Sequence, residues 1–112
     1  MASLLVDGDM VTVSLSAAEK VEALHGDLSV PRAAVLSARV AADGMEEVHG
    51  LKMPGTGLPG VVMVGTWRDG ETVTFAVCHG RRPAVVVDLA DQVYDRLVVT
   101  VEDPEATVAA LS

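Results

Sequence analysis

Between Val61 and Val101 the chain repeats one pattern, a short valine-rich run followed by a turn. Glu71 to His79 alternates, with Val73, Phe75 and Val77 on one side. Leu97 to Val101 does the same through Leu97, Val99 and Val101. A period of two places successive side chains on opposite faces of an extended backbone. Val61 to Trp67 and Ala84 to Leu89 complete the set, with turns at Arg68-Asp69-Gly70 and Gly80-Arg81-Arg82-Pro83. Valine suits this role because its branched side chain is stiff and packs well on a pleated surface. Short strands at this spacing predict an antiparallel meander that curls into a sandwich or barrel.

The first half carries weaker versions of the same signal. Residues 10–16 alternate apolar and hydroxyl side chains, which predicts a half-buried strand with Val11, Val13 and Leu15 inward. Ser16-Ala17-Ala18-Glu19 is a capping box, so a short helix should run to about His25, with Val21 and Leu24 toward the core and Gly26 as its stop. Leu28 to Pro31 should be extended and Ala33 to Ala42 a strand, with Asp43-Gly44 as a turn. Residues 50–60 hold four glycines and two prolines, which predicts a long irregular loop. Asp91 to Arg96 reads as a polar connection or one helical turn. Asp103-Pro104-Glu105 combines an N-cap, a proline at the first helical position and an acid in the first turn. The helix that follows, to about Leu111, is too short to stand alone and should dock through Val108 and Leu111.

Length and charge narrow the rest. The 112 residues make one domain, residues 1–112. Sixteen acids against eight bases leave a formal charge of −8, which repels phosphate backbones and anionic lipid surfaces. Nucleic acid is therefore not an expected partner. No stretch approaches the roughly 18 apolar residues of a membrane span. The N-terminus has no basic region and meets Asp7 and Asp9 early, unlike a signal peptide. The single cysteine, Cys78, excludes an internal disulfide and fits a reducing, cytoplasmic setting.

The segments Leu15-Ser16-Ala17-Ala18-Glu19-Lys20-Val21-Glu22-Ala23-Leu24 and Val30-Pro31-Arg32-Ala33-Ala34-Val35 resemble small uncharacterised actinobacterial proteins of bacterial pleckstrin-homology-like type. Met53-Pro54-Gly55-Thr56, Leu58-Pro59-Gly60, Gly65-Thr66 and the tail from Tyr94 to Glu105 extend that likeness over most of the chain from about residue 10. The resemblance implies a mainly β fold: a split antiparallel barrel with a C-terminal capping helix. The short helix after the first strand departs from the usual layout. The resemblance implies no reaction. Relatives that bind phosphoinositides do so with a strongly basic strand-loop-strand, which this chain lacks, so phosphoinositide binding is not expected.

Chemistry-bearing motifs are sparse. Gly55-Thr56-Gly57-Leu58-Pro59-Gly60 matches the dinucleotide fingerprint in letters, but Pro59 and a following strand replace the helix that would hold the pyrophosphate. Its glycines Gly55 and Gly57 are candidates instead for a loop that recognises a partner. Cys78 and His79 are adjacent on a strand and point to opposite faces, so they form no dyad. His25, His49 and His79 lack the close spacing of a metal site. Glu46-Glu47 and Asp88, Asp91 and Asp95 fall in turns and connections. Lys52, Arg68, Arg81 and Arg82 all sit in or beside predicted loops, so two or three of them could be neighbours at one barrel end, and Arg81-Arg82 before Pro83 is the densest positive spot, where a carboxylate- or phosphate-bearing partner could dock. These four bases with Gly55 and Gly57 are the candidate binding residues. The sequence points to no catalytic residue, metal or cofactor. The expected function is a non-catalytic module that binds a protein partner or a second copy of itself. The alternative is a carrier holding a small apolar ligand inside a barrel.

Overall fold

The computed structural model describes the chain from Met1 to Ser112. Nine strands and two helices form two sheets, and neither sheet closes into a barrel. β1 (Ser3–Asp7), β2 (Met10–Ser14) and β3 (Leu28–Pro31) make a small antiparallel sheet in the order β1-β2-β3. β4 (Val35–Ala41), β5 (Leu51–Leu58), β6 (Val62–Asp69), β7 (Thr72–His79), β8 (Ala84–Leu89) and β9 (Arg96–Val99) make a large one, ordered β4-β8-β9-β7-β6-β5. No helix is long and apolar enough to cross a membrane.

The expected simple meander is corrected at β9. This strand inserts between β7 and β8, antiparallel to β8 and parallel to β7. Its run Leu97-Val98-Val99 is apolar at every position and wholly buried, so it belongs in the middle of a sheet covered on both sides. Leucine and valine at consecutive positions are the local reason for the departure from two-period alternation.

The large sheet therefore has two dry faces. On the inner face Val64, Phe75, Val77, Val85, Val87, Leu97 and Val99 pack against Val11, Val13 and Val30 of the small sheet. Strand parity, with Val64 opposite Val77 and Val85 opposite Val99, keeps them on one side. On the outer face Trp67, Ala76, Cys78, Ala84, Val86 and Val98 are covered by Met45 and Val48. Those two residues come from the link between β4 and β5, where Asp43-Gly44 starts a 3-10 turn, Gly44–Glu47, and not a hairpin.

The helices take their predicted places with one change of face. α1 (Ala17–Ala23) has the full capping box, Ser16 receiving the Glu19 amide and Glu19 receiving the Ser16 amide. It ends at Leu24, which adopts φ 53°, before Gly26 is reached. Val21 and Leu24, expected in the core, are each 73% exposed, while Glu19 and Ala23, four residues apart, face inward. α2 (Pro104–Leu111) starts at Asp103, whose carboxylate accepts from the Ala106 amide at 3.1 Å, and buries Leu111 with Val108 half-buried. β1 is a strand the alternation argument did not identify. Residues 90–95 form an irregular link, with Asp91 at φ 57° and Tyr94 buried.

The predicted loop over 50–60 is also corrected, because residues 51–58 form β5. Gly55 and Gly65 face each other across the β5–β6 ladder, where a Cβ on Gly55 would lie 2.8 Å from the Gly65 Cα. With φ of 148° and 143° they let the two backbones approach more closely than side chains allow. A register shift between Lys52 and Gly55 takes up the kink at Pro54, and Pro54 is tolerated because β5 is outermost.

Candidate functional site

The large sheet divides the four candidate bases. Lys52 and Arg68 lie toward one end of the β5–β6 ladder, where Leu51 faces Arg68 and Lys52 faces Trp67. Arg81 and Arg82 follow His79, which faces Val62 at the opposite end of β6. Strands of this length separate the two pairs by roughly 20 Å. The four bases thus form two pairs of neighbours, because β5 is a strand and holds Lys52 away from the β7–β8 turn.

Each pair has local structural ties. Arg81 Nη1 donates to Asp43 Oδ2 at 2.8 Å, and this contact with Asp43 raises the guanidinium pKa further. The Arg82 carbonyl accepts from the Gly44 amide at 3.0 Å. Gly57 lies on the outer face of the ladder, where a Cβ would come within 3.3 Å of both the Lys52 Cδ and the Trp67 ring. Its missing side chain makes room for the lysine stem beside the indole. Gly55 serves the close crossing with Gly65.

Outermost strand β5 presents Leu51 at 77%, Met53 at 44% and Leu58 at 57% exposure, and Val61 follows at 63%. No strand pairs with its outer side. From Val48 through Arg68 the chain contains no Asp or Glu, and Lys52 and Arg68 are the charges there. On a protein of charge −8 this is an unusually acid-free strip. Register is unbroken from Gly55 to Leu58, so that half of the edge is the regular part.

A second feature joins residues 60 positions apart. Glu19 is only 2% exposed, yet both carboxylate oxygens are used. Oε1 accepts from the Ser16 amide at 2.8 Å, and Oε2 accepts from the Ala2 amide at 3.1 Å and from His79 Nε2 at 2.7 Å. The knot ties the start of the small sheet, α1 and the end of β7. Burial pushes the Glu19 carboxyl upward, but hydrogen bonds from Ser16 and His79 outweigh it and hold the pKa below the ordinary 4.5. A cleft of about 230 Å³ opens beside it, lined by Met1, Ser16, Ala18, Glu19, Glu22 and His79. Sequence reasoning found the Ser16–Glu19 cap and could not find His79, because no short spacing links it to α1.

Several other titratable groups have structural ties. Cys78 is fully buried, and its thiol is pushed up to about 12, chiefly by burial with Asp43 adding to it. Asp88 pairs with Arg96 at 2.8 Å, Asp95 accepts from the Val73 amide at 2.8 Å, and Glu47 pairs with Arg39. His25 packs against Phe75 with ring centroids 5.1 Å apart and planes tilted by 55°, and His49 is exposed. No group of three or more His, Cys, Asp or Glu residues is placed to hold a metal ion. No family model, no curated protein and no solved structure matches the chain.

Proposed function

We propose that the protein is a non-catalytic binding module that captures an extended polypeptide segment along β5. The observation that carries this reading is the acid-free outermost strand with exposed Leu51, Met53 and Leu58. An added strand hydrogen-bonds to the open edge, and its apolar side chains rest on those three. Pairing is confined to the regular half, Gly55 to Leu58, because Pro54 lacks a donor and the bulge breaks the ladder. Acidic residues in the segment meet Lys52, and this fixes its polarity and register. A second copy of the chain is a poorer occupant: Lys52, Pro54 and the bulge are the devices by which edges avoid pairing with their own kind. Structural partners on Glu19, Asp88 and Asp95 and the inert Cys78 thiol support the non-catalytic part. The pleckstrin-homology-like relationship belongs to the same proposal, supported by the β5–β6–β7 meander and the C-terminal α2. A small-ligand carrier draws no support from an interior filled by Phe75, Leu97 and their neighbours.

The test is an amide-resolved NMR titration with two synthetic eight-residue peptides, one alternating valine with glutamate and one alternating valine with lysine. The valine–glutamate peptide should shift the amides of residues 51–58 and lose that effect in Leu58→Glu. Equal shifts from both peptides, or none over 51–58, would overturn the reading. Concentration-dependent dimerisation through β5, seen by sedimentation, would replace the peptide partner with a second copy.

A further inference from the structure

We infer that residues 42–50 form a strap that opens as a unit from the outer face of the large sheet, uncovering Trp67 and Cys78 while the rest of the fold stays closed. This inference is independent of the β5 reading.

The strap crosses the sheet without belonging to it. β4 ends at Ala41 and β5 begins at Leu51, so no ladder pairing holds the residues between. Its backbone tie to the sheet side is the Gly44 amide donating to the Arg82 carbonyl. Two ion pairs clasp it, Asp43–Arg81 and Glu47–Arg39, and both arginines are about half exposed, at 55% and 48%. Such pairs are weak because water competes for them. Met45 and Val48 are its apolar anchors on the sheet. Met45 Sδ also accepts weakly from the Gly60 amide.

Beneath the strap the ladders β8-β9-β7-β6 are continuous and do not depend on it. Its removal therefore costs the packing of Met45 and Val48, two exposed ion pairs and one backbone hydrogen bond, and leaves the inner face packed. Local openings of this kind lie between terminal fraying and global unfolding in free energy. Glycine marks both ends. Gly44 sits so close that a Cβ would lie 2.6 Å from the Ala84 Cβ and 3.3 Å from Cys78 Sγ. Gly50, at φ 95°, leaves no room for a Cβ beside the Arg68 carbonyl. Met45 and Val48 are the side chains that keep Trp67, Ala76, Val86 and Val98 from water, so opening exposes an unbroken apolar surface.

Cys78 reports on the opening because it lies directly under Gly44 and is 0% exposed. The experiment measures its reaction with 5,5′-dithiobis(2-nitrobenzoate) in native buffer and in low urea. Opening of the strap predicts labelling faster than global unfolding allows, with a shallow urea dependence. Asp43→Ala removes the cap on Met45 and the pair with Arg81, and should speed labelling about tenfold, keep the shallow urea dependence of labelling, and lower the free energy of unfolding by no more than the matching ~1.4 kcal/mol. Val13→Ala, in the inner core, should lower the midpoint and leave the labelling rate in native buffer unchanged. The inference is overturned if wild-type labelling shows the full urea slope of unfolding, or if Val13→Ala speeds labelling in proportion to its loss of stability.

Discussion

The two faces of the large sheet are equally dry and differently made. A second sheet and two helices cover the inner face, with Phe75, Leu97 and Val13 at 0% exposure and Glu19–His79 as its polar knot. One turn of 3-10 helix covers the outer face, and Asp43–Arg81 and Glu47–Arg39 are its clasps. Burial alone does not distinguish them, since Cys78 and Val86 are as buried as Phe75. What differs is how much structure must move to let water in: half the molecule on one side, nine residues on the other. Stability follows that cooperativity more closely than it follows exposure.

The comparison breaks most readily at Phe75. Phe75→Ala removes a ring that packs against His25 and Tyr94, and should cost about 3–5 kcal/mol in urea unfolding. A loss below 1 kcal/mol would mean the inner face relaxes as easily as the outer one. Glu19→Ala comes next, at about 2 kcal/mol, since the amides of Ala2 and Ser16 lose their acceptor and α1 loses half its cap. The same carboxylate gives the inner face an acid limit. Its folded pKa is depressed, so the unfolded chain binds the proton more readily. Its contribution is complete above about pH 5 and is lost as pH falls below the ordinary 4.5 through the folded value. Urea midpoints measured from pH 3 to 7 should therefore fall at the acid end, and Glu19→Gln should flatten that fall. An unchanged slope in the variant would remove Glu19 from the account.

On the outer face the effects are smaller. Gly44→Ala places a methyl group against Ala84 and should cost about 1–2 kcal/mol while speeding Cys78 labelling, because the strap lifts sooner than the sheet bends. Arg81→Gln should increase labelling modestly, measured by the same thiol assay, and lower the urea midpoint by less than Gly44→Ala does. If Arg81→Gln shifts the midpoint as far as Gly44→Ala does, the strap and the sheet unfold together and the contrast disappears.

Much of this was legible beforehand where the signal is local. Ser16 and Glu19 announce α1, Asp103 and Pro104 announce α2, and the alternation around Val73, Phe75 and Val77 announces β7. Misreadings arose where two backbones meet. Gly55 argued for a loop because its reason for being glycine is Gly65, ten residues away on the facing strand. Val21 and Leu24 looked like core residues because spacing tells which side chains share a face, and not which face is covered. Which of the candidate bases are neighbours was not legible, because a loop and a strand of the same composition carry Lys52 to different places. The Glu19–His79 knot was invisible, since 60 intervening residues leave no spacing to read.

Composition and periodicity by themselves determined that this chain is a mainly β domain with an apolar interior, a capped first helix and a proline-started last one. They also determined its acid-free strip, Val48 to Arg68. Only the tertiary structure decided that β9 lies between β7 and β8, that the strip is an outermost strand, and that one face is sealed by a strap. The physical reason is range. Capping and alternation are settled among residues a few positions apart, whereas strand order and burial depend on which surfaces exclude water together, and that is a property of the assembled chain.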